Sequence, residues 1–161
     1  SPAMRHQGWR KTTLGKDPKP IINIYNHWTK EFLPVVRGEK VRKEVIDRYF
    51  RCRFTNQIPN FDKRLFPALL NAADHFKVER INIVSGFRSE KYNLMLRKKG
   101  REVARTSQHT LGHAVDFKLP GVPTHKLYRW TRRQRLGGVG YYRTSDFIHM
   151  DTGRVRTWRG R

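Results

Sequence analysis

Apolar positions in the first half of the chain form short runs and helically spaced stripes. Residues 21–25 and 31–36 are two apolar runs around a polar turn, which predicts a β-hairpin. Pro34 in the second run cannot donate a ladder hydrogen bond, so that strand is expected at a sheet edge. Apolar residues at helical spacing predict one helix over 39–50 and a second that begins near Asn60 as its N-cap.

The second half of the chain continues this alternation. Strands are predicted at residues 81–84, 113–119, 139–142 and 147–151, and helices at residues 89–96 and 124–135. The strand at 147–151 is expected to be the last element. No repeat or internal linker interrupts residues 21–161, so we predict one α+β domain with a small central antiparallel sheet flanked by helices. Residues 1–20 are predicted to be a flexible basic segment, and residues 1–4 are interpreted as a tag remnant.

Composition narrows the class of protein. The 161 residues contain 35 Lys and Arg against 13 Asp and Glu, which gives a net charge of +22 and predicts an anionic partner. Nucleic acid is the first candidate for so basic a protein. The helix at 124–135 interleaves aromatic and cationic residues, which suits such binding, but no nucleic-acid motif accompanies it. No apolar run is long enough for a membrane span. The single Cys52 excludes an internal disulfide framework and a thiolate-rich zinc finger.

Histidine and aspartate are concentrated at two places in the second half of the chain. His109, Asp116 and His149 could supply two imidazoles and one carboxylate to zinc and leave a fourth position for water. His113 is a competing ligand, but strand alternation turns it away from a metal that Asp116 binds. The alternative is that these are ordinary polar residues at strand ends, since both types are also common in turns and caps.

Three motifs in this region resemble one protein family. Residues 107–116 form the pattern S-x-H-x-x-G-x-A-x-D, residues 85–89 spell SGFRS, and the closing segment combines GGVGYY with DFIHMDTGRVRTW. Together they resemble the zinc D-Ala-D-Ala carboxypeptidase family, whose members cut peptides of bacterial peptidoglycan, and they are most similar to its periplasmic murein endopeptidase branch. The resemblance implies zinc bound by His109, Asp116 and His149 at strand ends, in a fold related to the Hedgehog amino-terminal signalling domain.

The resemblance also implies substrate-binding residues. Arg88 is expected to contact a carboxylate or carbonyl of the stem peptide, because a guanidinium matches a carboxylate in two hydrogen bonds. A structural salt bridge is the alternative for Arg88. Ser107 could donate to the substrate or cap its own loop, and Tyr142 is expected to line the cleft if Tyr141 faces the core.

The general base has two candidates. Asp146 lies three positions before the last histidine, where many members of the family carry an acidic residue, and is preferred. Asp151 lies two positions after His149, on the same face of the strand, and could act instead as the base or orient the imidazole.

These observations predict a zinc-dependent peptidoglycan peptidase that hydrolyses stem-peptide cross-links or terminal D-amino acids, with an endopeptidase preferred. Alternatives are a non-catalytic zinc-binding module of the same fold and a basic nucleic-acid-binding protein. The resemblance alone implies an exported, periplasmic or cell-envelope protein; a monomer is expected. The positive charge is then expected to adsorb the protein on the anionic wall, although a merely solvated basic surface is the alternative. The residues in that hypothesis are Arg129, Arg132, Arg133, Arg135, Arg154, Arg156, Arg159 and Arg161.

Overall fold

The computed structural model describes residues 10–12, 19–100 and 107–161. Within these ranges the chain forms eight strands, four α-helices and a 3-10 turn at Gln108–Leu111. The strands are β1 (Arg10–Thr12), β2 (Lys19–Asn26), β3 (Glu31–Val36), β4 (Arg80–Ser85), β5 (Ala114–Lys118), β6 (Gly138–Tyr142), β7 (Phe147–Asp151) and β8 (Arg156–Gly160). The helices are α1 (Lys43–Tyr49), α2 (Leu65–Phe76), α3 (Glu90–Lys98) and α4 (Thr124–Arg133).

All eight strands belong to one sheet, and most neighbours are antiparallel. The order is β1-β2-β4-β5-β7-β6-β8, with β3 paired to β2, and only the β2–β4 and β6–β8 pairings are parallel among the described strands. The predicted hairpin is confirmed as β2 and β3, which pair with Ile24 opposite Leu33. The predicted α+β class is therefore confirmed, although the sheet is mixed rather than purely antiparallel.

Strand alternation gives the sheet two chemically different faces. Val115, Phe117, Ile148 and Met150 point to one face and are almost fully buried beneath α2 and α4. The opposite face of the same strands carries the polar residues and glycines between them, and we call it the site face. Because the apolar positions fix the register, the polar positions of β5, β6 and β7 are brought side by side.

Two predicted elements differ from the structure. The second helix begins at Leu65 rather than near Asn60, because the Asp62 carboxylate accepts from the Arg64 backbone N–H (2.9 Å) and from the Thr152 hydroxyl (2.7 Å). These bonds hold the residues just before Leu65 in a loop against Thr152 instead of a first helical turn. The strand at 147–151 is also not the last element, since β8 follows it and extends the sheet beside β6.

The predicted helix cap at Ser89 is confirmed, since its hydroxyl accepts from the Tyr92 backbone N–H at 3.2 Å. The predicted boundary at residue 21 stays a prediction: β2 begins at Lys19 and pairs with β1, while residues 1–9 and 13–18 lie outside the described ranges. Across the described helices, none combines the length and the apolar character that a bilayer crossing requires.

Candidate metal centre

His109, Asp116 and His149 converge on the site face. Asp116 Oδ1 lies 3.2 Å from His109 Nε2 and 3.1 Å from His149 Nδ1, and the two imidazole nitrogens are 3.2 Å apart. All three side chains are largely buried, with exposed fractions of 2% for His109, 12% for Asp116 and 10% for His149. Asp116 and His149 occupy the middle of β5 and β7, so the group lies on the sheet surface rather than at strand ends. His113, the competing ligand, is not part of this group.

The fold places each of the three side chains by a different device. Asp116 and His149 are directly opposite each other in the antiparallel β5–β7 pairing, so their side chains share one face. His109 reaches the same point from the 3-10 turn. The Ser107 hydroxyl accepts from the His109 backbone N–H at 3.1 Å, and Gly112 ends the turn in the left-handed region with φ of +74°. A side chain is disfavoured in that conformation, which explains the glycine.

The outer hydrogen bonds of the two histidines determine which nitrogens face inward without a proton. His109 Nδ1 donates to the Gly86 carbonyl at 2.7 Å, and His149 Nε2 donates to Asp151 Oδ2 at 2.6 Å. When both rings are neutral, His109 Nε2 and His149 Nδ1 therefore both present lone pairs, and both face the Asp116 carboxylate. Three acceptor atoms this close and this buried repel one another unless a metal cation or a proton lies between them.

The spacing of these atoms fits a tetrahedral metal. Zinc bonds of ~2.0–2.1 Å to nitrogen and oxygen give ligand atoms that are ~3.3 Å apart at a tetrahedron's edges. The three observed separations of 3.1–3.2 Å are close to that value. Two neutral imidazoles and one carboxylate would hold such an ion and leave one position open. The residues present thus fit the metal that the sequence motifs imply.

Electrostatics keep the group ready for a cation. Burial tends to raise the pKa of Asp116, but the two neighbouring imidazoles outweigh it and hold that pKa well below its usual range. Burial lowers the pKa of His109. For His149 burial acts in the same direction, yet the hydrogen bonds that the ring donates to the Asp116 and Asp151 carboxylates raise its pKa to about 8. Protons consequently compete with a metal mainly at His149.

Asp151 anchors the His149 imidazole from behind. Its side chain is 0% exposed, and it accepts from His149, from the Gly138 and Gly153 backbone N–H groups (2.9 Å each), and from both Arg156 guanidinium nitrogens. Burial tends to raise the pKa of Asp151, but these hydrogen bonds hold it well below its usual range. This geometry corresponds to the predicted orienting role. Arg156 is accordingly engaged with Asp151 in the site, and its part in wall adsorption stays a prediction.

Asp146, the preferred base, lies at the rim of the site face. It occupies the β6–β7 turn with φ of +61°, and its side chain is 61% exposed. The Thr124 hydroxyl donates to its Oδ1, and Lys118 Nζ lies 3.7 Å from its Oδ2. Lys118 follows Asp116 by two residues in β5 and therefore shares its face. In the structure Asp146 contacts Thr124 and Lys118 and none of the three converging residues, so its catalytic role stays a prediction.

Arg88 lies next to the group with unmet hydrogen-bond donors. Its Nη2 donates to Ser107 Oγ at 3.2 Å, while its Nε is buried and has no hydrogen-bond partner in the described structure. No described carboxylate lies within ion-pair distance of it. Burial lowers the pKa of Arg88, opposed by the Asp116 charge. The predicted structural salt bridge is therefore not found among the described residues. Ser107 caps its loop and also supports Arg88.

Trp158 of β8 flanks the site, which the sequence did not predict. Its ring centre lies 5.0 Å from that of His149, and its Nε1 donates to the Tyr142 hydroxyl at 3.0 Å. Tyr142 in turn stacks on Phe147 at 4.8 Å. Gly140 lies between His149 and Trp158 in the strand pairing and leaves room for the indole. The sequence does contain a signal for this arrangement, because Gly138 and Gly140 in β6 have the same two-residue spacing as Arg156 and Trp158 in β8. The two bulky side chains of β8 need residues without a side chain opposite them in β6.

Replacing Gly140 by alanine is expected to displace Trp158. A Cβ at this position would lie 2.5 Å from Trp158 Cε2, which is closer than real Cβ atoms come. We expect Gly140→Ala to destabilise the protein by about 1–3 kcal/mol, as overpacking typically does. Chemical denaturation measures this, and a double-mutant cycle with Trp158→Ala identifies the cause. A cost that Trp158→Ala does not relieve would contradict the proposed clash.

Comparisons with known proteins agree with the motifs. A family described as peptidoglycan L,D-endopeptidase MepK matches residues 21–158. A probable peptidoglycan L,D-endopeptidase MepK from Haemophilus influenzae is 42% identical over 117 residues, which cover 71% of this chain and 63% of that protein. Peptidoglycan L,D-endopeptidase MepK from Escherichia coli K12 is 36% identical over 155 residues, which cover 88% of this chain and 81% of that protein.

The chain thus spans less than two thirds of the Haemophilus relative and about four fifths of the Escherichia relative. No solved structure matches it. The family match includes the three converging residues, Arg88, both candidate bases and Trp158. By this match, the chain belongs to the family of peptidoglycan L,D-endopeptidase MepK.

Proposed function

We propose that this protein is a zinc-dependent peptidoglycan endopeptidase. The observation that carries the proposal is the convergence of two imidazole lone pairs and one carboxylate oxygen, all within 4.8 Å of one another, on a buried patch of the sheet. The family match and the names of the two relatives give the substrate class. Because these relatives are endopeptidases by name, we prefer an endopeptidase over a carboxypeptidase.

Zinc held by His109, Asp116 and His149 would supply a Lewis acid and an acidified water. The chain's own residues divide the remaining tasks. Asp151 holds the His149 ring through Nε2–H, and Arg156 holds Asp151 by two hydrogen bonds. We propose Asp151 as a positioning residue for this reason. Asp146 is the proposed proton acceptor, because its carboxylate is exposed at the rim and is not engaged by a histidine.

Arg88 is the proposed anchor for the stem peptide. A half-buried guanidinium with an unpartnered Nε is costly unless an acceptor arrives, and a peptide carboxylate or carbonyl would supply one.

We expect Arg88→Ala to raise KM by roughly ten-fold or more, with a smaller change in kcat and unchanged zinc content. Arg88→Lys keeps the positive charge but cannot make two parallel hydrogen bonds to a carboxylate, so it should restore KM only in part. Steady-state kinetics on a purified cross-linked dimer measures this, and an unchanged KM in both variants would contradict the role.

Muropeptide digestion tests the proposed function directly. Cross-linked muropeptides are incubated with zinc-loaded protein and with chelator-stripped protein, and the products are identified by mass spectrometry. We expect zinc-dependent conversion of dimers to monomers, whereas a carboxypeptidase would remove one terminal residue. Absence of any cleavage of cross-linked or pentapeptide substrates would overturn the proposal in favour of a non-catalytic zinc-binding module.

The wall itself is the proposed partner of the basic surface. Arg129, Arg132 and Arg133 are exposed on α4, on the side of the sheet opposite the site face. Adsorption there would leave the metal centre open, and it would weaken as salt is added. A periplasmic or cell-envelope location and a monomeric state belong to the same proposal. Salt-sensitive DNA binding that outlasts removal of zinc would instead favour a nucleic-acid-binding protein.

A further inference from the structure

A groove runs beside the candidate metal centre. Its volume is about 450 Å³, and it lies between the loop at 55–60, the start of α3 and the 3-10 turn. Thr110 and Leu111 line it directly after His109 in the chain, and Phe87 and Ser89 line it on either side of Arg88. The backbone N–H of Arg88 donates to the His109 carbonyl at 3.1 Å, so the two walls are joined at the centre. The segments that line the groove therefore also carry His109 and Arg88, so the groove adjoins the candidate metal centre.

Exposed apolar side chains gather along this groove. Ile58 and Leu111 line it and are 51% and 50% exposed. Phe54 is 50% exposed, directly precedes the lining residue Thr55, and stacks on Tyr92 at 5.5 Å. Isolated exposed apolar residues are ordinary, but several around one concavity mark a binding surface.

Phe54, which directly precedes the lining residue Thr55, belongs to an aromatic platform that we define as Trp28, Arg53, Phe54 and Tyr92. The Arg53 guanidinium lies 3.5 Å from the Trp28 ring centre and donates through Nε to the Tyr92 hydroxyl. Trp28 is nevertheless 52% exposed. Its turn is fixed by the Asn26 side chain, which accepts from the Trp28 backbone N–H at 2.9 Å. A ring that is already ordered loses little entropy when a ligand stacks on it.

We propose that the groove and the aromatic platform bind the glycan chain of peptidoglycan, a proposal that rests on the proposed function. Sugar rings offer C–H faces that stack on aromatic rings and hydroxyl edges that meet polar side chains. The groove presents both, since Glu90, Lys91 and Asn60 line it together with the apolar residues. A stem peptide of three residues spans only ~10 Å when extended. A glycan bound in a surface that adjoins the centre therefore keeps its stem within reach.

The charges of the groove favour a neutral polymer. Glu90 and Lys91 are the lining residues of opposite charge, so the groove is not a basic channel despite the net charge of +22. A nucleic-acid backbone would meet the Glu90 carboxylate, whereas a saccharide hydroxyl donates to it. Aromatic rings and Arg53 alone would also suit base stacking, so the experiment includes an oligonucleotide.

Titration with peptide-free glycan strands, prepared by amidase digestion of sacculi, tests this inference. Binding is measured by calorimetry or NMR on both zinc-loaded and metal-stripped protein. We expect Trp28→Ala and Phe54→Ala each to weaken binding at least about three-fold, and the double variant roughly ten-fold, in both metal states. Trp28→Phe should recover part of the loss. Phe32→Ala is the matched control, because Phe32 of β3 is 51% exposed but packs on Tyr25 of β2, away from the platform residues.

Absence of glycan binding by the wild type would overturn the inference, and so would any of three further results. One is glycan affinity that neither platform variant changes. A second is an equal loss in Phe32→Ala. The third is oligothymidine binding that depends on Trp28 and exceeds glycan binding. Cleavage of a glycan-free stem dimer separates the two proposals. Wild-type protein that cleaves the dimer but does not bind glycan loses this inference alone, whereas glycan binding without any cleavage supports the surface and overturns the catalytic function.

Discussion

Replacing His109 by alanine is expected to abolish stoichiometric zinc binding and all peptidase activity. The variant leaves Asp116 and His149 to hold the metal, and His109 is one of only two imidazoles in the group. Removal of an outer partner of a metal ligand typically costs 10–100-fold in affinity, and removal of a ligand should cost more than about 100-fold. The variant also leaves the Gly86 carbonyl without the proton that His109 Nδ1 donates at 2.7 Å.

Metal analysis after dialysis against buffered zinc measures this loss. His113→Ala is the matched control, because His113 is four residues away in the same segment but lies outside the converging group. The control should keep one zinc per chain and the activity of the wild type. One zinc per chain in His109→Ala, or loss of zinc in His113→Ala, would require a different ligand set.

The two aspartates near His149 are expected to fail in different ways. Asp151→Asn should weaken zinc affinity roughly 10–100-fold, because the amide is a poorer acceptor for His149 Nε2–H and no longer balances the Arg156 guanidinium. Asp146→Asn should leave zinc affinity unchanged and lower kcat by about 10²–10⁴-fold, as expected for loss of a general base. The turn at Asp146 has φ of +61°, a conformation that asparagine also adopts readily.

Zinc competition titrations and single-turnover kinetics at saturating zinc separate these two effects. Activity of Asp151→Asn should recover when zinc is raised, whereas that of Asp146→Asn should not. If Asp146→Asn retains activity while Asp151→Asn stays inactive with zinc bound, Asp151 is the proton acceptor and Asp146 only a turn residue.

The arrangement of the three converging residues was largely predictable from sequence. Alternation in β5 predicted that Asp116 and His113 point to opposite faces, and the structure excludes His113 from the group. Adjacency of Asp116 and His149 follows from buried positions such as Phe117 and Ile148, which fix the strand register. The position of His109 came from the family motif, because a short turn carries no periodic signal.

The residues of β8 that support the site, Arg156 and Trp158, were not predictable, because β8 lacks the apolar pattern by which a strand is found in a sequence. β8 consists of Arg156, Thr157, Trp158, Arg159 and Gly160, with no buried apolar alternation, as is common for a polar edge strand. Its contribution depends on long-range contacts with β6 and Asp151. The start of α2 was placed too early for a similar reason. Asp62 has the pattern of a residue in a first helical turn, but its hydrogen bond to Thr152 spans 90 positions.

The parallel pairing of β8 with β6 has a consequence for the timing of activity during synthesis. A nascent chain that has emerged as far as Gly153 already contains His109, Asp116 and His149, but it lacks Arg156 and Trp158. Until β8 docks, Asp151 has no guanidinium partner and His149 has no flanking indole. Chains are synthesised from the N-terminus, and contacts distant in sequence form late. The proposed hydrolase would thus lack the Arg156 support of Asp151 and the indole beside His149 until β8 has docked.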